Sequence, residues 1–383
     1  MTHPPSFTKI QKLANENGID FVGVARSELF ASTLNDLQER KGKNLHGGME
    51  FTYRNPKRST NPNATMPDAE SLIVAAQSYW QPVSHGDKAT EPMGRVALYA
   101  QRDHYAYLKK GLQVIAEELN SKGFKTRILV DDNALVDREA AYRAGIGWYG
   151  KNANILIPKR GSWFILGSIL TDAPFQPNEP IEDGCGTCTK CIPACPTDAI
   201  AEPGVIDANR CLAWLVQAEG QFPAEFRVAL GDRIYGCDDC QLACPTNKFE
   251  ERLYESRKSS SSRNSVSIHE ILEADDQQLL SEFGQWYIPK RDPRYLRRNA
   301  LIVLGNSRLP LTARTIRAVE RWLSDSDEML RSHAVWTAKR LGLHNLLTEL
   351  ANDTSQEVQK ELSMEVPHVH PEERSQDELV WTG

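Results

Sequence analysis

Apolar and polar positions follow helical and strand-like patterns over the first 178 residues. Ile10, Leu13 and Ala14 recur at helical spacing, which predicts a helix that begins at Phe7 and stops at Gly18. Helical patterns return at 105–122 and 134–144. Runs of β-branched and aromatic residues predict strands, and they are FVGVA (21–25), SLIVAAQSYW (71–80), TRILV (126–130), ANILIP (153–158) and SWFILGSILT (162–171). This mixture predicts an α/β or α+β domain over residues 1–178.

Two short glycine-containing segments lie inside this region. Lys159-Arg160-Gly161 connects the last two predicted strands and suits a β-hairpin. Gly145, Gly147 and Gly150 match the G-x-G-x-x-G pattern of nucleotide-binding loops. Such a loop follows a strand and opens a helix, whereas here a predicted helix precedes the glycines. We therefore interpret Gly145 as a helix stop.

The pattern becomes purely helical after a polar, Ser-rich stretch at 255–265, which predicts a linker. YLRRNALIVLGN (295–306) and MLRSHAVWTAKRLG (329–342) share the pattern Leu-Arg-x-x-Ala-apolar. A second helical stretch follows each copy, so paired helices of the HEAT type and a plain helical bundle both fit. We predict an all-helical domain at 266–352 and an acidic tail at 353–383.

The net charge of -6 hides two opposed regions. Residues 290–340 contain twelve Lys/Arg and five Asp/Glu, whereas residues 341–383 contain two and nine. A basic helical face binds polyanion phosphates by releasing their counterions. The alternative is a solvated face that pairs with its own acidic tail, and the charge pattern alone leaves both interpretations open.

No apolar run approaches the roughly 20 residues of a membrane helix, and Trp163–Leu170 stops far short. The start, MTHPPSFTK, lacks the basic and apolar segments of a secretory signal. We therefore expect a cytoplasmic protein whose cysteines stay reduced.

All eight cysteines lie between positions 185 and 244, in two motifs that end in Cys-Pro. Residues 185–196 form C-x2-C-x2-C-x3-C-P, the run of bacterial iron-sulfur proteins in which the fourth thiolate ligates the other cluster. Residues 237–245 form C-x2-C-x3-C-P, for which Cys211 is the remaining fourth ligand. We predict two [4Fe-4S] clusters, and two four-thiolate zinc sites are the alternative. Cluster 1 takes Cys185, Cys188, Cys191 and Cys244, and cluster 2 takes Cys195, Cys211, Cys237 and Cys240.

Clusters with full sets of protein ligands transfer electrons and leave the chemistry to another site. The order C-x3-C-x2-C of radical S-adenosylmethionine enzymes is absent. Asp137 lies near the start of a predicted helix, where an acid either serves the helix dipole or acts as a catalyst. His104 is expected to be an isolated surface histidine, because its surroundings lack the D-x-H-x-x-G motif of cobalamin carriers.

The chain resembles the tRNA epoxyqueuosine reductases. The resemblance covers about residues 5–345 and rests on LVDREAAYRAGIGWYGKNANILIPKRGSWFILGSILTD (135–172), CGTCTKCIPACPTDAI (185–200), Arg210-Cys211 and RIYGCDDCQLACPTNKF (233–249). It implies an α/β domain (1–178) that binds base-off cobalamin, a ferredoxin-like domain (179–252) with two [4Fe-4S] clusters, and the helical domain as a HEAT-like tRNA-binding part.

The resemblance also implies the reaction and its residues. The epoxide of epoxyqueuosine at the wobble position of tRNA anticodons is reduced to queuosine, the last step of queuosine synthesis. Electrons pass from the clusters to cobalamin, and Asp137 donates the proton, which requires a raised pKa. The implied cobalamin contacts are Arg58, Tyr99, Ala100, Asp137, Asn154, Ser162, Phe164, Arg233, Ile234, Tyr235 and Gly236. The tRNA contacts are assigned to Arg294, Arg297, Arg298 and Arg331.

The expected partners are tRNA carrying epoxyqueuosine and an external low-potential electron donor, and the expected state is a monomer. Two other functions remain open from the sequence. A two-cluster ferredoxin-type electron carrier would bind no corrinoid. A reductive dehalogenase-like corrinoid enzyme would share the cofactors, although it usually has an export signal and needs no basic helical domain.

Overall fold

The structure is a computed structural model that describes residues 3–82, 89–254 and 264–368. Most of the predicted linker, 255–263, and the last part of the predicted tail, 369–383, lie outside the described residues. Among the described helices, none has both the length and the apolar character needed to cross a membrane.

The described residues form a mixed α/β structure. The strands are β1 (Phe21–Arg26), β2 (Ser71–Ser78), β3 (Met93–Val96), β4 (Thr126–Leu129), β5 (Trp148–Tyr149), β6 (Ile155–Leu156), β7 (Phe164–Thr171), β8 (Ile200–Glu202), β9 (Val205–Ile206), β10 (Arg233–Tyr235) and β11 (Ser265–Ser267). The helices are α1 (Phe7–Glu16), α2 (Ala31–Gly42), α3 (Phe51–Arg54), α4 (Pro56–Ser59), α5 (His104–Ser121), α6 (Asp137–Arg143), α7 (Leu212–Leu215), α8 (Ala224–Leu230), α9 (Asp239–Leu242), α10 (Asn247–Tyr254), α11 (Ile268–Glu273), α12 (Asp276–Glu282), α13 (Arg294–Asn306), α14 (Ala313–Leu323), α15 (Glu328–Leu341) and α16 (Gln356–Ser363).

The chain divides into two compact units, and each unit is built from three separate stretches of the sequence. Unit 1 contains 1–82, 102–211 and 238–260, and unit 2 contains 83–101, 212–237 and 261–383. The predicted ferredoxin-like domain therefore contributes to both units. The domain boundaries predicted from the sequence rest on motifs, whereas the two units are defined by contacts between residues. The predicted boundaries therefore stay a prediction.

Unit 1 is built on a four-stranded sheet with the order β1-β2-β7-β4, in which every neighbouring pair is antiparallel. The two central strands are apolar on both faces, because helices such as α5 and α6 pack on the sheet. The first helix stops as predicted, with Gly18 at φ +78° after the C-cap Asn17.

The prediction of a hairpin at 159–161 is wrong, because the two strands that flank this turn do not pair with each other. The tight turn exists, since Ile157 bridges Gly161, but β6 pairs with β5 while β7 pairs with β2 and β4. Gly161 has φ +81°, and the next residue, Ser162, donates its backbone N–H to the Asn247 side chain at 2.6 Å. This buried contact leads the chain away from β6 and into the main sheet.

Helix α6 begins at Asp137, three positions later than the pattern predicts, and it packs against β1 at a glycine. A Cβ atom on Gly23 would overlap the carbonyl oxygen of Ala144, which follows α6. Gly145 then has φ +66° and ends the helix, as predicted. Because a helix precedes this glycine segment and the two-residue strand β5 lies inside it, the nucleotide-loop pattern has the wrong structural context.

Unit 2 combines a three-stranded sheet, with the order β10-β3-β11, and the helices α11–α16. Helix α13 packs against α15, where the Thr337 hydroxyl donates to the Leu301 carbonyl at 2.7 Å. The helical content agrees with the sequence pattern, whereas HEAT-type pairing stays a prediction.

Part of the predicted acidic tail is a packed helix. In α16, Val358 is fully buried and Glu361 forms a buried ion pair with Arg227 at 2.8 Å. The Lys339 ammonium donates to three carbonyls at the end of α16, those of Glu361, Leu362 and Met364. Cations at a helix C-terminus stabilise it, so opposed charges in this region serve folding.

The Gly23 contact predicts a position-specific effect of an added methyl group. We expect Gly23→Ala to lower the free energy of unfolding by about 2 kcal/mol, because the Cβ must displace backbone and not a flexible side chain. Gly42→Ala is the matched control, since a Cβ there meets nothing within 4 Å at the end of α2. Urea unfolding followed by circular dichroism measures both, and equal stabilities of the two variants would contradict the close approach.

Candidate active site and iron-sulfur ligands

The four thiols assigned to cluster 1 lie within electrostatic range of one another in unit 1. Burial raises the pKa of the Cys191 thiol, and Cys244, Cys185 and Cys188 act in the same direction. Cys244 is buried and packs with Trp148 in an apolar group that also contacts Cys185. No group of three His, Cys, Asp or Glu among the described residues is gathered as ligands of a single metal ion.

Local hydrogen bonds hold two of the ligands assigned to cluster 2, Cys195 and Cys211, in defined loops. The Cys195 sulfur accepts from the Ala199 backbone N–H at 3.2 Å. The Thr197 hydroxyl donates to the Arg210 carbonyl at 2.6 Å, and the Arg210 side chain returns a bond to the Thr197 carbonyl at 2.8 Å. This reciprocal pair ties the Cys195 loop to Cys211. The complete ligand set of cluster 2 stays a prediction.

Asp137 is the first residue of α6 and follows the N-cap Val136, earlier in the helix than the sequence indicated. Its Oδ1 atom is buried and has no hydrogen-bond partner. Burial raises the pKa of this carboxyl well above its ordinary value, Asp131 and Asp132 add to the effect, and the cation of Arg138 opposes it. The site therefore favours a protonated acid, although the helix N-terminus favours the anion.

The loop before Asp137 is tied to α4. The buried Ser59 hydroxyl donates to the Asn133 carbonyl at 2.6 Å. Its carbonyl accepts from the Val136 backbone N–H at 3.0 Å. These two bonds hold the segment that places Asp137 at the start of α6.

Two tyrosines of unit 1, Tyr105 and Tyr79, lie within electrostatic range of Asp137 and of the cluster-2 ligand Cys240, respectively. Burial raises the pKa of Tyr105, and the carboxyls of Asp131 and Asp137 add to it. Burial also raises the pKa of Tyr79, with smaller contributions in the same direction from Tyr105 and Cys240. Both phenols therefore stay protonated, and each is close enough to feel the next group. Sequence analysis missed both, because an isolated tyrosine carries no motif.

Tyr79 is held by a buried amide network in unit 1. The Gln241 side chain donates to the Tyr79 hydroxyl at 2.9 Å and to the Ser162 carbonyl at 3.1 Å. The Asn247 side chain donates to the Ser162 hydroxyl at 3.1 Å and to the Gln241 carbonyl at 2.7 Å. Every polar atom of Ser162 is thus engaged internally, including the N–H bound by Asn247.

His104 differs from its prediction as an isolated surface histidine. Its Nε2 atom is buried without a hydrogen-bond partner, and its ring centroid lies 5.9 Å from that of Tyr79. Burial lowers the pKa of this imidazole to about 4, with Arg102 adding to the effect. The ring is therefore neutral beside the tyrosines.

Comparisons with known proteins identify the family of this chain. A family model described as "4Fe-4S double cluster binding domain" matches residues 184–247, and one described as "Epoxyqueuosine reductase QueG, DUF1730" matches residues 59–132. The epoxyqueuosine reductase of Vibrio cholerae serotype O1 is 34% identical over 335 residues, which cover 86% of this chain and 90% of that protein. The enzyme of Bacillus subtilis is 30% identical, with 92% of each chain covered. The chain belongs to the epoxyqueuosine reductase family.

Solved structures of the epoxyqueuosine reductase family share this fold. One is a crystal structure of an epoxyqueuosine reductase with an epoxyqueuosine-modified tRNA-Tyr stem loop, with a TM-score of 0.82 and 28% identity over 93% of this chain and 96% of that one. The enzyme of Streptococcus thermophilus has a TM-score of 0.83 at 25% identity, over 93% and 97%.

Four of the cobalamin contacts implied by the family, besides Asp137, lie in unit 1. Arg58 is exposed on α4, and Ser162 lies in the amide network. The Asn154 backbone carbonyl accepts from the Gly150 N–H at 2.8 Å. The Phe164 ring packs edge-on against Phe21, with centroids 5.6 Å apart.

The other six predicted contacts lie in unit 2, around the parallel pair of β3 and β10. The Tyr99 and Tyr235 ring centroids are 6.4 Å apart, and Gly236 at φ +75° lets the backbone approach Tyr99. The Arg233 side chain donates to the Leu230 carbonyl at 2.8 Å. Ala100 and Ile234 are buried. All these contacts stay predictions.

Two of the arginines predicted to contact tRNA, Arg297 and Arg298, are buried in unit 2. Arg298 is only 1% exposed, and its guanidinium donates to the carbonyls of Leu215, Ala218 and Gly220. Burial lowers its pKa to about 9. Arg297 is buried and binds Asp276. Phosphates need exposed cations, and these two side chains hold unit 2 together instead.

The other two predicted tRNA contacts are also paired. Arg331 forms a two-pronged ion pair with Asp353, at 2.9 and 3.1 Å. Arg294 pairs with Asp292 and Asp327 but keeps part of its side chain exposed. The tRNA roles of Arg294 and Arg331 stay predictions, and the basic stretch is largely neutralised within the chain.

The raised pKa of Asp137 predicts a pH dependence of stability. The folded state binds this proton more tightly than the unfolded state, so the contribution is complete below the ordinary pKa of 3.8 and is lost as the pH rises through the raised value. Asp137→Asn should therefore become progressively more stable than the wild type as the pH rises above that ordinary value. Urea unfolding over a pH series tests this, with the exposed Asp36→Asn as reference. Parallel curves for Asp137→Asn and the wild type would refute the shift.

The placement of Arg298 predicts a stability defect and no direct tRNA effect. Arg298→Met removes the guanidinium that donates to three carbonyls, one of them in a buried hydrogen bond, and should lower the free energy of unfolding by about 3 kcal/mol. The exposed Arg317→Met on α14 should change it by less than about 0.5 kcal/mol. Under conditions where Arg298→Met is folded, the salt dependence of its tRNA binding should equal that of the wild type. A shallower salt slope would restore Arg298 as a phosphate contact.

Proposed function

We propose that this chain is an oxidoreductase that reduces the epoxide of epoxyqueuosine in tRNA anticodons and so forms queuosine. The observation that carries the proposal is the buried Asp137 carboxyl, whose Oδ1 has no partner and whose pKa is raised, in a chain with both iron-sulfur motifs. The reaction consumes two electrons and two protons, removes the epoxide oxygen as water and leaves the alkene of queuosine. It therefore needs both an electron route and an acid.

Asp137 supplies the acid. A departing alkoxide is a poor leaving group, and a positioned carboxylic acid that protonates it lowers the barrier. Burial keeps the proton on the carboxyl until the substrate oxygen develops charge, and the unpartnered Oδ1 is free to meet that oxygen. The bonds from Ser59 hold the preceding loop in place. A solved structure of the Bacillus subtilis relative has an aspartate-bearing catalytic loop swung out of its active site, which is consistent with a movable acid.

Two tyrosines and His104 add no charge to unit 1 near neutral pH. Burial raises the pKa of Tyr105, and the carboxyls of Asp131 and Asp137 add to this effect, so the phenol stays protonated. Tyr79 is held by Gln241 and also stays protonated. His104 is neutral because burial lowers its pKa.

Cobalamin, when bound, would supply a reduced cobalt centre for the reaction. The residues of unit 1 that would hold it are Asn154, Ser162 and Phe164. Two features of unit 1 fit a bound reacting group, the orphaned buried atoms Asp137 Oδ1 and His104 Nε2. The Ser162 backbone is held at its N–H by Asn247 and at its carbonyl by Gln241, so it would give the cofactor a rigid contact.

The tRNA partner is supported by the relative solved with a modified stem loop. A tRNA substrate and eight reduced cysteines fit the cytoplasm, and a monomer would present one anticodon site per chain. The remaining exposed cations of 290–340, among them Arg317, would supply nonspecific phosphate attraction.

Turnover of modified tRNA tests the proposal. Under anaerobic conditions, with cobalamin and a chemical reductant, the released nucleoside should lose one oxygen by mass analysis. Asp137→Asn keeps the shape of the side chain but cannot donate an acidic proton, so its rate should fall at least about a hundredfold. Asp36→Asn should match the wild type.

Iron content and the visible spectrum must be unchanged in Asp137→Asn for this comparison to count. A chain that holds both clusters yet binds no cobalamin and leaves the tRNA unchanged would be an electron carrier. An Asp137→Asn protein that retains full turnover would remove this residue as the acid.

A further inference from the structure

Helix α10 begins beside a cluster-1 ligand. The Asn247 backbone N–H donates to the Cys244 carbonyl at 3.1 Å, and the Lys248 N–H donates to the Pro245 carbonyl at 3.2 Å. The helix is anchored on its inner side by two fully buried residues, Asn247 and Glu250. Glu250 forms a buried ion pair with Arg160. This anchoring leaves the other side of α10 as a rigid surface within a few turns of the cluster ligand.

The outer side of α10 has an unusual composition. Phe249 and Leu253 are 51% and 58% exposed and lie four residues apart, so they form one apolar stripe. Lys248 and Arg252 are also exposed and also lie four residues apart, so they form a basic stripe next to it. We call these four residues the α10 face.

Exposure of single apolar residues is ordinary in soluble proteins. A phenylalanine and a leucine exposed together on one helix, flanked by cations, have the composition of an interface core with a charged rim. The cluster-1 loop is also at the surface, since Cys188 and Lys190 are exposed. Electrons from outside the chain therefore have their shortest entry here, because electron transfer requires close approach of the two centres.

We propose that the α10 face is the docking surface for a small acidic one-electron carrier protein of the ferredoxin type, which delivers electrons to cluster 1. In each encounter the carrier is oxidised by one electron and the cluster is reduced from the 2+ to the 1+ state. Two encounters supply both electrons of the epoxide reduction. The use of the electrons for epoxide reduction rests on the proposed function. Their entry into the chain depends only on the cluster ligands.

Charge decides the kind of partner. Lys248 and Arg252 on α10 and Lys190 in the cluster-1 loop are exposed cations. Glu250 is withdrawn into its ion pair with Arg160, and Glu251 pairs with Lys248 at 2.9 Å. Cations around an apolar centre attract a negatively charged partner and orient it, while the apolar pair supplies the contact energy. A polyanion such as tRNA would use the cations but would gain less from the exposed leucine.

The experiment uses the holoprotein with both clusters and without tRNA. Reduced acidic ferredoxin is mixed with it anaerobically, and the loss of iron-sulfur absorbance reports the rate of cluster reduction. Phe249→Ser and Arg252→Glu should each slow this rate at least about tenfold, which corresponds to about 1.4 kcal/mol of docking free energy. Their affinity for oxidised ferredoxin, measured by calorimetry, should fall in parallel, and the Arg252→Glu rate should lose its dependence on salt.

Matched controls come from exposed residues elsewhere in unit 1. Leu29→Ser removes an apolar side chain that is 45% exposed, and Lys12→Glu reverses a charge on α1. Both should behave as the wild type. Dithionite, which needs no docking surface, should reduce every variant at the wild-type rate.

Three results would overturn the proposal. The first is that the wild-type chain accepts no electrons from ferredoxin. The second is that the α10 variants lose reduction by dithionite and by ferredoxin equally, which indicates a structural defect. The third is that the variants keep reduction by ferredoxin and lose tRNA binding, which makes the α10 face a tRNA surface. Since tRNA is absent from the main assay, failure of the epoxide reaction would leave this test intact.

Discussion

The buried side-chain amide of Asn247 is the interaction on which the arrangement of unit 1 depends. It accepts from the Ser162 backbone N–H and donates to the Ser162 hydroxyl and to the Gln241 carbonyl. Only an amide of this length both accepts and donates in this way, and a carboxylate would lose the donors. The network fixes the entry into β7 against α9, which contains Cys240, and against α10, which follows Cys244. Cluster ligands, the main sheet and Tyr79 therefore share one rigid frame.

Desolvation sets the chemistry of the candidate active site. The N-terminus of α6 would stabilise an anionic Asp137 by up to about 1 kcal/mol, yet the pKa of the carboxyl is raised, because burial and the neighbouring Asp131 and Asp132 outweigh the helix and Arg138. The same low polarity keeps Tyr105 protonated and His104 neutral. The carboxyls of Asp131 and Asp132 therefore help burial to keep the proton on Asp137, while Tyr105 adds no charge.

Charge in unit 2 is used mainly for folding. Arg298 and Arg297 are buried, Arg331 is bound to Asp353, and Lys339 caps the end of α16. Each of these side chains belongs to the basic stretch that a sequence count marks as a phosphate surface. Buried cations cost less when carbonyls or carboxylates surround them, and the acidic residues near the C-terminus supply some of these partners. By contrast, the cations of the α10 face remain at the surface beside apolar side chains.

The sequence by itself determined the features that depend on local spacing. The cysteine motifs grouped Cys244 with Cys185, Cys188 and Cys191, which the structure brings within electrostatic range, and the helix stops at Gly18 and Gly145 follow from their backbone freedom. Tertiary structure alone decided the strand pairing after Gly161, the burial of Arg298 and the protonation of Asp137. These depend on contacts between residues far apart in the chain, and on the removal of water that such contacts cause, which no local pattern encodes.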